Sequence, residues 1–446
     1  QGGLCNSVSI DSLWITSLPA NVFQLDTSIC IFDTLFIDDL EFFFGNSSFI
    51  DTIDGIECDS FININVSFED VDTSYILETI CPGDSTNYFS TWFTEANPFE
   101  EITINTQSGC DSLVIVDISF FPMGSSLDFS AYDKVDSDFK SWIDSSYNNR
   151  FSNLSKDSVS LKMWHINGAE SRVGSTQYLY TFYETDEPTD TETNICKIQD
   201  KCIFSSSHAR DCFDKSGVEN TEYIPIGFDT DFFETNKTYL EGRINFGIVG
   251  KFEKRKHTER IIKLWADRYG NNNDYQLTCC INNPFFKPEQ MGQVLTKATN
   301  GQRFRNINFL PHLKTNSEMN ELYNSIDINL SGLSGAEGWN LPAFNSTCLG
   351  KWSVVLNATS HKDWATKDNS ILVEPEGKEE IYDGAFFQKG QPFNQGNLNT
   401  FSDQSFYKAL DKAIDKYGER NEKGVEIKEV FTYDNTVEKI LNLINK

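Results

Sequence analysis

The stretch INFGIVGKFEKRK, residues 244–256, is the most useful starting point for the larger part of the chain. Its first seven residues are mainly apolar and end in Gly250, which is the pattern of a buried strand that runs into a turn. Lys251, Arg255 and Lys256 follow, ahead of a segment with apolar residues at helical spacing. Basic side chains just beyond the carboxyl end of a strand are well placed to neutralise a diphosphate.

A second stretch, SGAEGWNLPAFNSTCLG at residues 334–350, is a glycine-rich turn with one acid, Glu337. Apolar residues at helical spacing follow it, so the pattern predicts a carboxylate and several backbone N–H groups at a helix N-terminus. Such a position can bind a polar, phosphorylated ligand. The two stretches together indicate a nucleotide ligand.

The formal net charge of −29 is unevenly distributed over the 446 residues. Residues 1–133 contain 22 Asp and Glu, whereas all 37 Lys and Arg lie in residues 134–446. An overall charge of this sign repels nucleic acid and anionic lipid, which excludes general binding to either. The change in composition predicts separate domains, which we place at residues 1–125, 126–235 and 236–446.

The sequence contains no apolar run of about 18 residues or more, so no transmembrane segment is expected. It begins at Gln1, without a Met or a signal-peptide pattern, in what looks like the middle of a repeat. These features predict that the chain is a fragment.

Cysteines mark a repeat in the N-terminal part. Cys5, Cys58 and Cys110 lie 53 and 52 residues apart, and Cys30 and Cys81 lie 51 residues apart. Period-2 stretches between clusters of Asp, Ser, Asn and Gly, such as residues 61–66 and 113–118, predict short strands arranged in two β modules. In an oxidising compartment the expected bridges join Cys30 to Cys58 and Cys81 to Cys110. The phrases around these cysteines resemble the tandem repeats of large secreted or surface proteins of Bacteroidetes-type bacteria.

From about residue 135, helical and strand patterns alternate, which implies parallel sheets covered by helices. Two such sheets side by side form a cleft, and ligands bind beyond the carboxyl ends of the strands. Strands are predicted at residues 159–164, 177–183 and 201–205, and, after a linker at 229–241, near residues 244, 275, 307, 326, 353 and 371.

The final helix is predicted at residues 435–446. It should pack against the rest of the protein, because its apolar residues share one face. These residues are Val437, Ile440, Leu441, Leu443 and Ile444.

Five motifs occur together in the second part of the chain, at residues 248–251 with 256, 337–342, 223–229, 180–186 and 204–208. With these motifs, residues 135–446 resemble the GT-B glycosyltransferases of the large retaining family typified by group-1 enzymes of bacteria and phages. The resemblance implies an α/β GT-B fold with two Rossmann-like domains, the first of them incomplete, behind the all-β repeats. It also implies a nucleotide-sugar donor of the UDP or GDP type, an unidentified glycan, lipid or protein acceptor, and transfer with retention of configuration.

The resemblance also implies roles on the donor side. Glu337 would contact the donor sugar, while Lys251 and Lys256 would hold the diphosphate and stabilise the departing group, with Arg255 as an auxiliary. The second acid of the family, which binds the ribose, is replaced here by Asn345, whose amide oxygen accepts a hydroxyl proton but supplies no charge. Taken alone, the Lys-rich residues 251–256 would be interpreted as the solvent-exposed first turn of a helix.

Five further positions fall in the donor-binding segments of the family. Gly335, together with Gly332 and Ser334, would let the backbone approach phosphate or sugar closely, because glycine has no Cβ to obstruct it. Gly250 and Gly338 are two more of these positions. Leu341 is another of them, and His312 lies in the loop at the family's base-binding place, where backbone groups are expected to make the contacts.

Three residues follow predicted strands of the first domain. By resemblance His165 would donate a hydrogen bond to the donor sugar, and Glu184 and His208 would face the acceptor. For each of them the alternative is a structural hydrogen-bond partner with no contact to substrate.

No metal site is predicted, in agreement with the family, whose members generally need no divalent ion or other cofactor. Cys196, Cys202 and Cys212 lack the CxxC spacing of metal sites, and the adjacent Cys279 and Cys280 lie in an apolar strand. We expect all five to be buried free thiols.

Three functions remain open. The first is an active retaining glycosyltransferase, and the second is a degenerate transferase fold that acts as a binding or scaffold module on a surface-repeat protein. The third is a GT-B sugar-nucleotide epimerase, which should contain more acids in its first domain. The transferase part is expected in the cytoplasm, where nucleotide sugars occur and free cysteines are stable, whereas the repeats look exported.

Overall fold

The computed structural model divides the chain into two compact units, residues 1–118 and residues 119–444. In the second unit it describes residues 128–444 apart from residue 154. In the first it describes residues 5–8, 15–18, 22–30, 34–37, 40–43, 45–53, 60–69, 85–88, 91–94, 104–105 and 111–112. None of the described helices is both long and apolar enough to cross a membrane.

The described part of the first unit consists of short strands. They are β1 (Cys5–Val8), β2 (Ile15–Leu18), β3 (Val22–Cys30), β4 (Leu35–Ile37), β5 (Leu40–Phe42), β6 (Ser48–Ile53), β7 (Ser60–Glu69), β8 (Ser85–Tyr88), β9 (Thr91–Thr94), β10 (Ile104–Asn105) and β11 (Asp111–Ser112). The largest sheet has the order β3-β7-β6, with β7 parallel to β3 and antiparallel to β6. The remaining strands form antiparallel pairs.

Strand β7 shows why the period-2 pattern produces this sheet. Ile64 and Val66 point to one face and are buried, whereas Asn65, between them, points to the other face. There the Asn65 side chain donates a hydrogen bond to the Asp26 carboxylate of β3, at 3.1 Å. Apolar contacts on one face and polar contacts on the other confirm the half-buried strand predicted here.

Two predictions for this region lie outside the described residues. One is the pairing of Cys30 with Cys58 and of Cys81 with Cys110. The other is the alternating stretch at residues 113–118.

The second unit begins with α1 (Ser137–Asn153), β12 (Val159–Met163), β13 (Thr176–Thr181), α2 (Asp190–Lys197), β14 (Lys201–Phe204), α3 (Ser207–Lys215) and β15 (Thr221–Tyr223). The four strands are parallel in the order β12-β13-β14-β15. Leu179, Phe204 and Phe213 are fully buried between this sheet and its helices. The three strands predicted for this region are confirmed, and β15 is additional.

A second parallel sheet follows the connection at residues 229–243. Its elements are β16 (Ile244–Val249), α4 (Thr258–Tyr269), β17 (Tyr275–Cys280), α5 (Pro288–Ala298), β18 (Ile307–Phe309), α6 (Asn316–Ser325), β19 (Ile328–Asn329), α7 (Leu341–Cys348), β20 (Trp352–Leu356) and β21 (Ile371–Val373), with 3₁₀ turns at Ser331–Leu333 and Thr359–Asp363. The order is β18-β17-β16-β19-β20-β21. From β16 the chain builds outward on one side through β17 and β18, and on the other through β19, so the order reverses between β16 and β19.

The core of this sheet explains why residues 244–249 form its central strand. Phe246 of β16 lies against Trp265 and Tyr269 of α4 and against Leu277 of β17, and all four are buried. The ring centroids of Phe246 and Trp265 are 6.0 Å apart. Burial of such large side chains contributes roughly 1.5–3 kcal/mol each, which favours this strand over any exposed alternative.

After β21 come a hairpin, β22 (Gly377–Glu380) and β23 (Asn397–Thr400), and the helices α8 (Asp403–Ile414), α9 (Glu422–Val425), α10 (Ile427–Val430) and α11 (Tyr433–Ile444). Helix α11 returns to the four-stranded sheet β12-β13-β14-β15, which we call the first sheet, and there Ile440 packs with Tyr180, Ile203 and Ile224. The predicted helix is confirmed.

The predicted apolar face of α11 is only partly correct. Leu443 and Ile444 pack with Ile440, but Val437 and Leu441 are 51% and 43% exposed. Only one edge of the helix meets the sheet, so the apolar stripe is wider than the surface that covers it.

Gly227 allows α11 to dock on the segment that follows β15. A Cβ added to Gly227 would lie 2.2 Å from the backbone nitrogen of Tyr433, which cannot move without displacing the helix. We expect Gly227→Ala to lower the free energy of unfolding by about 1–3 kcal/mol, measured by urea denaturation. The matched control is Gly292→Ala in α5, where no atom lies within 4 Å and alanine should stabilise the helix by about 0.5–1 kcal/mol. Equal stability of the two variants would contradict this explanation.

Candidate donor site at the sheet edge

The two stretches singled out in the sequence meet at the edge of the second sheet. Strands β16 and β19 are hydrogen-bonded neighbours, and residues 250–257 and 330–340 leave their carboxyl ends. This is the point at which the strand order reverses, where the crevice of an open α/β sheet forms. The structure therefore brings Arg255 and Lys256 to the same place as Glu337.

Glu337 lies between two cations. Nη1 of Arg255 is 2.9 Å from one carboxylate oxygen of Glu337, and Nζ of Lys256 donates a hydrogen bond to the other. The Glu337 side chain is only 6% exposed. Burial alone would raise the pKa of Glu337, but the positive charges of Arg255 and Lys256 outweigh it and hold the pKa well below its ordinary value. Glu337 is therefore an anion throughout the physiological pH range.

Arg255, for which the sequence predicts an auxiliary place beside the diphosphate, makes several contacts with the glycine-rich turn and its surroundings. It donates a hydrogen bond to the Ala336 carbonyl at 2.7 Å, and it is paired with Glu253 at 2.8 Å. The Arg255 carbonyl accepts a hydrogen bond from the Gly335 N–H at 2.7 Å. Burial would lower the pKa of Arg255, but Glu337, Glu184 and Glu253 together raise it. The guanidinium thus holds the glycine-rich turn from inside.

The two predicted lysines behave differently. Lys256 passes over the turn at Gly250, where a Cβ would lie 3.7 Å from Lys256 Cδ, and Gly250 has a φ of 129°, which glycine adopts easily. The ammonium of Lys251 instead lies 5.2 Å and 5.6 Å from the ring centres of Phe285 and Phe386. Of the predicted pair, only Lys256 contacts Glu337 in this state.

Gly335 and Gly338 allow other parts of the protein to approach the glycine-rich turn closely. A Cβ on Gly335 would lie 2.3 Å from the Asn399 carbonyl oxygen, and a Cβ on Gly338 would lie 3.0 Å from Phe182 Cβ. The Gly338 carbonyl also accepts a hydrogen bond from the Ser205 hydroxyl at 3.0 Å. The loops after β13 and β14 of the first sheet therefore rest directly on the turn that carries Glu337.

A hairpin that the sequence did not predict joins the two sheets, and we call residues 377–400 the bridging hairpin. On one side, Leu398 and Ile381 pack on Ala336, next to Glu337. On the other side, the Asn397 N–H donates to Asp186 at 2.8 Å, and the Asn394 N–H donates to Glu192 at 2.8 Å. The hairpin covers the glycine-rich turn and holds the first sheet against it.

His361 and Asn340 position the start of α7, and neither was singled out from the sequence. Asn340 is the N-cap, with a φ of 69°, and its side-chain amide donates to the Ser331 carbonyl at 3.0 Å and to His361 Nε2 at 2.8 Å. His361 Nδ1 lies 2.8 Å from the Leu356 carbonyl, which can only accept, so Nδ1 carries the proton. No local pattern reveals this pair, because 21 residues separate its members.

Burial lowers the pKa of His361 from 6.5 to about 4. Between these values the unfolded chain binds a proton that the folded chain does not, so the contribution of His361 to stability is complete above about pH 6.5 and is lost as the pH falls towards 4. The loss is about 3 kcal/mol. His361→Gln retains a hydrogen-bond donor and an acceptor but does not titrate. Between pH 6.5 and 4.5 we expect its free energy of unfolding, measured by urea denaturation, to fall less than that of the native chain. Identical pH slopes would contradict this assignment.

The remaining predicted residues lie around this centre. Glu184 is 3.9 Å from Arg255, and His165 is exposed beside a shallow cavity of about 150 Å³ that Phe182 also lines. His312 is exposed. Leu341, the first residue of α7, is 41% exposed, whereas Asn345, on the same helix, is 4% exposed. The structure thus places Glu184 beside the cluster of Arg255, Lys256 and Glu337 and leaves His312 at the surface.

A cavity of about 630 Å³ opens between the sheets. His208 lines it, with Nε2 3.2 Å from the Thr185 carbonyl. Burial lowers the pKa of His208, so its ring is neutral near pH 7. The other lining residues are Asp186, Glu187, Pro188, Ser207, Asp211, Cys212, Lys215, Ser216, Thr359, Lys362 and Lys378.

Cys196, Cys202, Cys212, Cys279 and Cys280 are buried free thiols, as predicted, and Cys348 is a sixth. Within the described residues, no group of three or more His, Cys, Asp or Glu side chains is arranged to hold a metal ion.

Comparison with solved structures identifies the fold. The α,α-trehalose-phosphate synthase (UDP-forming) of Burkholderia xenovorans, solved with glucose-6-phosphate, is similar with a TM-score of 0.51 and 11% identity, over 67% of this chain and 76% of that chain. The fold is of the GT-B type. Sucrose-phosphate synthase of Thermosynechococcus elongatus (TM-score 0.49, 11% identity, 78% of this chain and 86% of that chain) and HepE of Anabaena with UDP and glucose (0.47, 13%, 60% and 71%) are also similar. The sequence matches no known family model and no curated protein.

The GT-B fold fits the arrangement of the second unit. Its two parallel sheets face each other across a cleft, and the cluster of Arg255, Lys256 and Glu337 lies on the side of the second sheet. The cleft is closed over this cluster by the bridging hairpin and by the loops after β13 and β14.

Proposed function

We propose that this protein transfers a sugar from a nucleotide-sugar donor to an acceptor with retention of configuration. The observation that carries the proposal is the cluster of Arg255, Lys256 and Glu337 at the switch point of a GT-B fold. A UDP donor is favoured over a GDP donor, because the trehalose-phosphate synthase that shares the fold is UDP-forming. The residues supply positive charge themselves, and the proposed reaction uses no metal ion.

Lys256 is the proposed ligand of the donor diphosphate. In the closed state its ammonium neutralises Glu337, a single carboxylate that Arg255 also contacts. A diphosphate carries more negative charge than one carboxylate, so the ammonium should move to it when the donor enters. As the bond to the sugar breaks, negative charge grows on the diphosphate, and one well-placed donor lowers such a barrier by roughly 3 kcal/mol.

Glu337 is the proposed contact for the donor sugar. Once Lys256 turns to the diphosphate, one carboxylate oxygen becomes free to accept a hydrogen bond from a sugar hydroxyl. Arg255 stays paired with the other oxygen and keeps the carboxyl group ionised. His165 would donate a hydrogen bond to the sugar from the opposite sheet, and the acceptor would attack from the face that the diphosphate leaves.

Donor binding requires the cleft to open. Glu337 is buried, Leu398 and Ile381 of the bridging hairpin pack on the adjacent Ala336, and Asn345, at the expected ribose position, is buried in α7. The contacts that must separate include apolar packing, such as Phe393 of the bridging hairpin against the core of the first sheet. They also include polar contacts, such as Ser205 with Gly338 and Asn397 with Asp186. Each is worth only about 0.5–1.5 kcal/mol net, or up to about 3 kcal/mol where a charge takes part, so binding energy can replace them.

A second function is favoured by one observation. Asn345 stands where a ribose-binding acid is expected, and it is buried. A transferase fold that has lost this acid would serve as a non-catalytic binding or scaffold module.

The test is turnover of labelled UDP- and GDP-sugars by the full chain, with the anomeric configuration of the product determined by NMR. Transfer or slow donor hydrolysis with retention supports the enzyme. Turnover by Asn345→Glu but not by the native chain supports the scaffold, since it shows that this substitution silenced the site. No turnover by either, or a product of inverted configuration, would overturn the proposed reaction.

A further inference from the structure

The cavity of about 630 Å³ between the sheets is separate from the donor cluster. Its walls come from the segments after β13 and β14 on one side, and from the 3₁₀ turn at Thr359–Asp363 and the bridging hairpin on the other. Arg255, Lys256 and Glu337 are not among its lining residues. Its volume lies within the range of roughly 300–1,000 Å³ that small-molecule sites occupy.

The acids of this cavity already have partners. Asp186 pairs with Lys378 at 2.6 Å, and Glu187 accepts a hydrogen bond from the Asn397 side chain at 2.9 Å. Asp211 pairs with Arg210 at 2.7 Å. Asp186 and Asp211 are therefore paired with cations, whereas Glu187 is held by a neutral amide.

Two of the three lysines that line the cavity have no partner in the part of the chain that the structure describes, unlike the acids. Within residues 128–444, Lys215 and Lys362 form no ion pair and no hydrogen bond, whereas Lys378 is paired with Asp186. One comes from the end of α3 and the other from the 3₁₀ turn of the opposite sheet, so they enter the cavity from both sides. The cavity thus offers two ammonium groups without a partner among these residues, together with the Ser207 hydroxyl, which donates to Asp363 and can still accept a hydrogen bond.

We propose that this cavity binds a small polyhydroxylated molecule that carries a phosphomonoester, and that this molecule is the acceptor. Two ammonium groups match the charge of a phosphomonoester, which is close to −2 at neutral pH. The Ser207 hydroxyl, whose proton is donated to Asp363, can accept a hydrogen bond from a sugar hydroxyl. The word acceptor rests on the proposed glycosyl transfer, whereas the binding of the phosphorylated molecule does not.

The test is isothermal titration of the full chain with glucose 6-phosphate, and with glucose, glucuronate and inorganic phosphate for comparison. We expect glucose 6-phosphate to bind at least tenfold more tightly than each of the others. Lys215→Ala and Lys362→Ala should each weaken it about tenfold, the loss expected for one charge-assisted hydrogen bond. Lys367→Ala, at an exposed lysine five residues after Lys362, is the matched control and should leave the affinity unchanged.

The outcomes separate this inference from the proposed function. If glucose 6-phosphate binds in a lysine-dependent way but no sugar is transferred, the proposed binding site is supported and the proposed glycosyl transfer is rejected. Equal affinity for glucose and glucose 6-phosphate, or equal affinity of the Lys362→Ala and native chains, would overturn the site. Tighter binding of inorganic phosphate than of glucose 6-phosphate would overturn it as well. Loss of UDP binding in Lys362→Ala would assign the cavity to the donor instead, and would also contradict it.

Discussion

Glu337→Ala is expected to lower the free energy of unfolding by about 3–5 kcal/mol, the cost of removing one partner from a buried ion pair. The carboxylate of Glu337 is shared by Arg255 and Lys256, whose side chains are only 10% and 15% exposed. Without it two positive charges remain close together with little water around them. Arg255 retains Glu253 as a partner at 2.8 Å, so the uncompensated charge falls mainly on Lys256.

Urea denaturation followed by tryptophan fluorescence measures this loss, because the buried Trp339 lies two residues from Glu337. The control is Glu419→Ala, which removes an exposed carboxylate paired with Lys416 and should cost less than about 1 kcal/mol. In the double variant Glu337→Gln with Lys256→Met, the loss should be smaller than the sum of the two single losses, since the two residues compensate each other. Additive losses, or a cost for Glu337→Ala as small as that for Glu419→Ala, would show that the buried pair does not stabilise the fold.

Lys256→Met is expected to reduce the rate of sugar transfer about 10²–10³-fold, which is the effect of removing one group that stabilises charge in the transition state. Methionine keeps most of the length and apolar stem of lysine and removes only the charge. Glu337 retains Arg255 as its partner at 2.9 Å, so the turn around residues 334–338 should keep its conformation. The reduction should therefore appear in kcat, with a folded protein.

Lys263→Met on α4 is the matched control, because Lys263 is exposed and lies outside the cluster. We would measure steady-state rates for the two variants and the native chain, with circular dichroism to show that all three are folded. These rates test whether the Lys256 ammonium stabilises the leaving diphosphate. A Lys256→Met rate within a few-fold of the native rate would mean that another group neutralises the leaving diphosphate.

Much of the fold could be predicted from local patterns. The central strand at residues 244–249 is almost continuously apolar because both of its faces are buried, and the glycine and lysines after it mark its carboxyl end. The acid at residue 337 stands alone in a glycine-rich turn, so it could be chosen as a candidate from the sequence, and the structure places it beside Arg255 and Lys256. Residues 244–256 and 334–350 could be expected to meet, because neighbouring parallel strands have their carboxyl ends at the same edge of the sheet.

What could not be predicted depends on contacts between distant residues. The bridging hairpin has no clear alternation, since its strands are short and mainly polar. The role of Arg255 becomes visible only when Ala336 and Glu337 are placed beside it, and that of His361 only when Asn340 is. Val437 and Leu441 have the spacing of a buried face, but the sheet that receives α11 is narrower than that face.

The central claim is that Lys256 and its neighbours at the switch point hold the diphosphate of a nucleotide. Isothermal titration of UDP and GDP into the full chain, into Lys256→Met and into Lys263→Met tests it most directly. We predict one binding site, preference for UDP, an affinity that falls with added salt, and a loss of at least tenfold in Lys256→Met only. Binding of neither nucleotide by the native chain, or equal binding by the native and Lys256→Met proteins, would contradict it.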